Sequence, residues 1–138
     1  MGIAKDSTHH VDTQVTPSMT ASSFATRLGE KYPAVLSTPF LVSELERVAA
    51  DMLVPLLGEG KVSVGVSVAI EHLAPTPVGL NIRSHARFIG QEGKLYWFEV
   101  WSEDPAGSIG RGKHARAIVD LSAIETRAAS RSSSTTQK

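Results

Sequence analysis

The sequence predicts an α+β domain, a curved antiparallel sheet wrapped around one long helix. Two observations carry this expectation. A single stretch, about residues 39–53, has a sustained helical apolar period, and four strand-like segments follow it, joined mainly by tight turns. Hairpin-linked strands pair antiparallel, and only one substantial helix is available to cover them. A chain of 138 residues is most simply one such domain.

The elements follow in order. A first strand is expected over residues 10–16, with Val11, Thr13 and Val15 sharing a face. Residues 20–28 read as a short helix stopped by Gly29, and residues 32–37 as a loop. The long helix takes Thr38 as a permitted N-cap and Pro39 at its first position. Leu41, Leu45, Val48, Ala49, Met52 and Leu56 form its apolar stripe, ended by Pro55 and Gly58. At about 100° per residue, Glu46 lies at the stripe's border, while Glu44, Arg47 and Asp51 fall toward solvent. Residues 62–73 alternate strictly. Val62, Val64, Val66, Val68 and Ile70 share a face with His72, and Gly65 lies opposite. Residues 80–88 carry an apolar face and a basic one formed by Arg83, His85 and Arg87. Turns at residues 90–93 and 105–107 set off the last two strands, 95–102 and 109–121.

Composition excludes several classes. Fourteen basic residues balance fourteen acidic ones, so no net field draws nucleic acid or an anionic membrane. The chain has no cysteine, which removes disulfides and thiol nucleophiles, and its five histidines have no zinc-site spacing. No stretch approaches the ~20 apolar residues of a membrane span. Residues 1–10 lack the apolar core of a secretory leader, so the cytoplasm is the default location. Residues 1–9 are expected to be flexible and 10–122 to form the domain. Residues 123–138 are expected to be a disordered tail, being mostly Ser, Thr, Arg and Ala.

Three polar residues interrupt or border the apolar patterns: Thr38, Glu46 and His72. A hydroxyl, a carboxylate and an imidazole brought together can activate a nucleophile against a carbonyl carbon. Each also has a plainer reading, as a helix cap, a surface carboxylate and a hydrogen-bonded core histidine. Gly65 fits a β-bulge as well as a close substrate approach, and Arg116 fits a solvated strand position.

The stretches YPAVLSTPFLVSELE (32–46), IEHLAPTPVG (70–79) and GRGKHAR (110–116) together resemble the fluoroacetyl-coenzyme A thioesterase family of hotdog proteins. The resemblance spans roughly residues 11–121, and the spacing of Thr38, Glu46 and His72 matches the family's catalytic Thr, Glu and His without a gap. It implies hydrolysis of a short acyl-coenzyme A thioester by a homodimer, without metal or other cofactor. A dimer also answers the shortage of helix over a five-stranded sheet with open edges. By position, the resemblance implies that Gly65 lies against the substrate and that Arg116 lines the acyl pocket. Tyr32 falls where the fluoroacetate-specific member has a phenylalanine gate, a departure that bears on acyl selectivity. The alternative is a non-catalytic hotdog protein that binds acyl-coenzyme A or another small apolar ligand.

Overall fold

A computed structural model describes residues 2–24 and 28–136. Five strands, β1 (Thr8–Gln14), β2 (Lys61–His72), β3 (Asn81–Glu92), β4 (Leu95–Asp104) and β5 (Gly107–Asp120), form one sheet in the order β1-β3-β4-β5-β2. All four pairings are antiparallel. The 16-residue helix α1 (Thr38–Leu53) lies in the concave face, as the apolar period predicts. Its Leu41, Leu45, Val48, Ala49 and Leu53 are fully buried, packed with Ile82, Ala86, Phe98 and Val100 of the sheet. Truncating one of these leucines to alanine costs about 2–5 kcal/mol.

Several local expectations are corrected. The N-cap of α1 is Ser37, whose Oγ accepts the Phe40 N–H at 3.2 Å; Thr38 is the first helical residue and Pro39 the second. Ser37 leaves the hydroxyl of Thr38 uncommitted to capping. Glu44, expected in solvent, is only 6% exposed, with Arg47 Nη1 3.4 Å from its carboxylate.

The valine row of β2 does not share one face. The pairing register between β2 and β5 shifts between Gly65 and Ser67, a bulge that reverses the alternation. Directly paired residues share a face. Before the bulge Gly65 pairs with Arg116 and Ser63 with Ile118. After it Val68 pairs with His114, Ile70 with Gly112 and His72 with Gly110. A Cβ on Gly110 would meet Leu41 of α1, so this shared face is the inner one. Gly65 therefore looks toward the helix together with His72, while Val62 and Val64 turn outward.

Among the described residues, regular structure extends beyond the expected domain bounds of 10–122. β1 begins at Thr8, and before it Asp6 N–H donates to the Phe88 carbonyl at 2.7 Å. The tail expected beyond residue 122 is largely α2 (Leu121–Thr136). It continues directly from β5, and Ala, Glu and Arg give it helix propensity that its serine content masks. In the expected short helix of residues 20–28, a 3-10 turn covers Ala21–Ser23, and residues 25–27 lie outside the described ones.

Candidate active site

The start of α1 and the end of β2 meet at one mouth of the groove. There Thr38 Oγ1 lies 2.8 Å from His72 Nδ1. Two backbone bridges hold this meeting point. Leu36 N–H donates to the Thr76 carbonyl at 2.8 Å, and Leu73 N–H to the Ile109 carbonyl at 2.8 Å. Thr76, fully buried, is itself tied by its hydroxyl to Asp104 at 2.8 Å. The segments before α1 and after β2 are thus pinned to each other and to the β4–β5 corner. Val35, Thr38, His72, Leu73, Ala74 and Pro75 line a cleft of about 270 Å³.

The electrostatics suit proton transfer. Burial pushes the His72 imidazole below its ordinary 6.5, partly offset by the Ala74 backbone. The ring is therefore neutral at pH 7 and able to accept a proton. Its Nε2 is buried and has no hydrogen-bond partner among the described residues. Of the first-turn amides of α1, Phe40's is taken by Ser37 Oγ and Pro39 has none, which leaves Thr38's own N–H as the donor without a partner among the described residues at the helix start.

Glu46 does not join this pair. Eight residues beyond Thr38, it sits about 12 Å further along the helix axis. There its Oε1 lies 3.6 Å from Arg116 Nη1. A Cβ on Gly65 would stand 2.8 Å from the same oxygen, 3.3 Å from His114 Cε1 and 3.6 Å from Arg116 Nη1. Gly65, Glu46 and Arg116 thus form a second cluster on the inner face. Along β2 it is seven residues, about 23 Å, from His72. The structure accordingly brings together Thr38 with His72 at the end of β2, and Glu46 with Gly65 and Arg116 beside its first half, as two separate groups.

Arg116 is buried and held by several groups. Its Nε donates to Ser63 Oγ at 3.0 Å, its Nη2 to the Ser63 carbonyl at 2.9 Å and its Nη1 to His114 Nε2 at 3.1 Å. Burial lowers its pKa and Glu46 pulls it back up. His114 and Ser63 were not singled out from the sequence. The signal available was the spacing of His114 and Arg116, which puts both on one face of a strand. Tyr32 is 40% exposed and is not among the six residues lining the cleft. The basic outer face of β3 is spoken for. Arg83 holds Asp12 at 2.7 Å, Arg87 pairs with Asp6 and with Glu99, and His85 holds Glu103 at 3.1 Å.

With this geometry in hand, comparison with known proteins is decisive. The profile of the fluoroacetyl-CoA-specific thioesterases matches residues 15–122. The chain belongs to that family. The fluoroacetyl-CoA thioesterase of Streptantibioticus cattleyicolor is 32% identical over 91 residues, a match covering 66% of this chain and 66% of that protein. The solved structure of a fluoroacetyl-CoA thioesterase superposes with a TM-score of 0.89 at 26% identity, covering 94% of this chain and 98% of the other. A thioesterase superfamily member from Thermus thermophilus gives 0.89 at 25% identity, covering 99% of this chain and 98% of that one. The thioesterase family and the hotdog fold expected from the sequence are therefore those of this chain. Among the described residues, no helix is long and apolar enough to cross a membrane.

Proposed function

We propose that this protein hydrolyses short acyl-coenzyme A thioesters at a site shared between two copies of the chain. The hydrogen bond between Thr38 and His72 carries the reading. A threonine hydroxyl is a weak nucleophile until a base takes its proton, and a neutral imidazole at 2.8 Å is such a base. Thr38 Oγ1 attacks the thioester carbonyl and His72 Nδ1 takes its proton. The C–S bond then breaks, and the thiolate leaves with that proton. Water, activated by the same imidazole, adds to the ester carbon, and cleavage of the C–Oγ1 bond frees the acid and restores Thr38. The N–H of Thr38 is a donor for the developing oxyanion. Complexes of a relative favour the substrate class: a variant of the fluoroacetyl-CoA-specific thioesterase has been solved with fluoroacetate and CoA.

The dimer follows from the open edge. β2 is 12 residues long, lies at the end of the sheet order, and exposes Val66 and Val68 at 53% and 43%. Such an edge calls for a partner strand. Two β2 strands paired antiparallel about an axis near Val68 would bring residue 65 of one chain beside residue 72 of the other. Thr38 and His72 of one protomer would then face Gly65, Glu46 and Arg116 of its partner. This pairing supports Glu46 as the carboxylate of the site, Gly65 as the substrate approach and Arg116 as a lining group for the acyl end. Tyr32 is the acyl gate in this reading. A cytoplasmic location accords with a coenzyme A ester as substrate.

The test is a panel of acyl-coenzyme A esters with release of free thiol measured. Turnover of acetyl- or another short acyl ester is the expected result. Tight binding of the esters with no thiol released would instead identify a non-catalytic acyl-coenzyme A binder.

A further inference from the structure

His114 is fully buried on β5, beside Arg116 and across from Gly65. Its two ring nitrogens have different partners. Nδ1 lies 2.8 Å from the Ser67 carbonyl, which can only accept. Nε2 lies 3.1 Å from Arg116 Nη1, which can only donate. Both contacts demand the same state: a neutral ring carrying its proton on Nδ1. The Ser67 carbonyl lies at the β2 bulge, so the irregularity that turns Gly65 inward also supplies the acceptor that fixes this tautomer.

We propose that His114 is a positioning residue that holds Arg116 in the one orientation leaving a guanidinium N–H for Glu46 and the acyl group. This role rests on the reading of Arg116 as part of the acyl pocket. With Ser63 taking Nε and Nη2, and His114 taking one Nη1 proton, the other Nη1 proton is left on the side of Glu46. Loss of the Nε2 acceptor would leave the charged guanidinium held along one edge only, by Ser63, and its Nη1 end free to rock away from Glu46. The effect belongs in acyl binding, because the Thr38–His72 pair is held by neither Arg116 nor His114.

Two substitutions separate positioning from packing in the full-length chain. His114→Asn keeps a donor for Ser67 and loses the acceptor for Arg116. His114→Gln restores an acceptor near the Nε2 position. The expected result is a KM raised about tenfold or more in His114→Asn, the scale of one hydrogen bond to a charged group, with kcat within about threefold. His114→Gln should return KM to within about threefold of the parent. Unchanged KM in both, or equal losses of kcat and KM in both, would overturn the role. Two-bond 1H–15N spectra of the parent should show the Nδ1–H tautomer for His114 at pH 7, and the Nε2–H form or an imidazolium would overturn it too. If the parent releases no thiol from any ester, the enzymatic reading fails, and exchange of the Arg116 Nη1 protons, one of which His114 Nε2 accepts, still decides the role. Slow exchange in the parent and His114→Gln but fast exchange in His114→Asn supports it; equal rates in all three contradict it.

Discussion

Thr38 Oγ1 meets His72 Nδ1 at 2.8 Å because the helix cap is the residue before it. Ser37 Oγ occupies the Phe40 N–H, so the threonine hydroxyl is available to the imidazole. The capping and the candidate chemistry are divided between neighbouring residues. Thr38→Ala is therefore expected to lower kcat by about 10²–10⁴-fold while leaving thermal stability nearly unchanged, since Thr38 is an exposed first-turn residue. Ser37→Ala should do the reverse, costing about 1 kcal/mol of stability with less effect on kcat. Steady-state kinetics beside thermal melts check both, and a silent Thr38→Ala would remove the threonine from the chemistry.

The pH profile should follow the neutral imidazole. Burial holds His72 below 6.5, so kcat is expected to be flat through neutrality and to fall only in acid below that value. Stability should move the same way. The folded pKa values of His72 and of His114, the latter lowered chiefly by burial, lie below that of the unfolded chain. Between those values and 6.5 the unfolded state binds more protons, so stability is full above 6.5 and is lost as pH falls through the window. Denaturant midpoints at pH 7.5 and 5.5 test the sign; a higher midpoint at the lower pH would contradict it.

Gly65 is expected to be a functional glycine and Gly112 a structural one. A Cβ at residue 65 meets the end of the Glu46 side chain at 2.8 Å, which can move aside. Gly65→Ala should cost roughly 1 kcal/mol of stability, yet lower kcat/KM about tenfold by displacing Glu46. A Cβ at residue 112 would stand 2.0 Å from the Ala69 carbonyl oxygen, backbone of the neighbouring strand. Gly112→Ala should cost about 3 kcal/mol or more. Equal stability losses in the two variants would count against the distinction.

Tyr32 carries the selectivity prediction. Its phenol has nearly the shape of a phenyl ring but a hydroxyl that wants a partner when buried. A gate ending in Tyr32 should be wetter and should discriminate less between acetyl- and fluoroacetyl-coenzyme A than its Tyr32→Phe variant. Comparing kcat/KM for both esters in both proteins is the check. An equal, strong preference for the fluorinated ester in both would rule the gate out.

Much of this architecture was legible in residue patterns, and the exceptions have physical causes. The apolar period of residues 41–53 marks α1 because a helix must bury one stripe. The valine row of β2 misleads because a bulge inserts one residue and reverses the alternation, and Gly65 permits a bulge without requiring one. Ser37 and Thr38 are both competent caps, and only the backbone conformation selects between them. Glu44 is buried against expectation, and the helical wheel alone does not reveal which side of α1 the sheet covers. The meeting of Thr38 with His72 follows from their places at a helix start and a strand end. The company of Glu46 does not, because periodicity carries no information about which strand residues a helix position meets.

The central claim, a site assembled from two protomers, is tested most directly by mixing two inactive variants. Thr38→Ala and Glu46→Gln are each expected to be inactive alone. Unfolded together in equal amounts and refolded, half the dimers are mixed. In each mixed dimer one site carries both lesions and the other carries none. The account predicts recovery of roughly a quarter of the parent's activity per chain, since half of the dimers each hold one intact site of two. Mixed dimers that form and stay as inactive as either variant alone would contradict it, and would return Glu46 to the same chain's site or remove it from the chemistry.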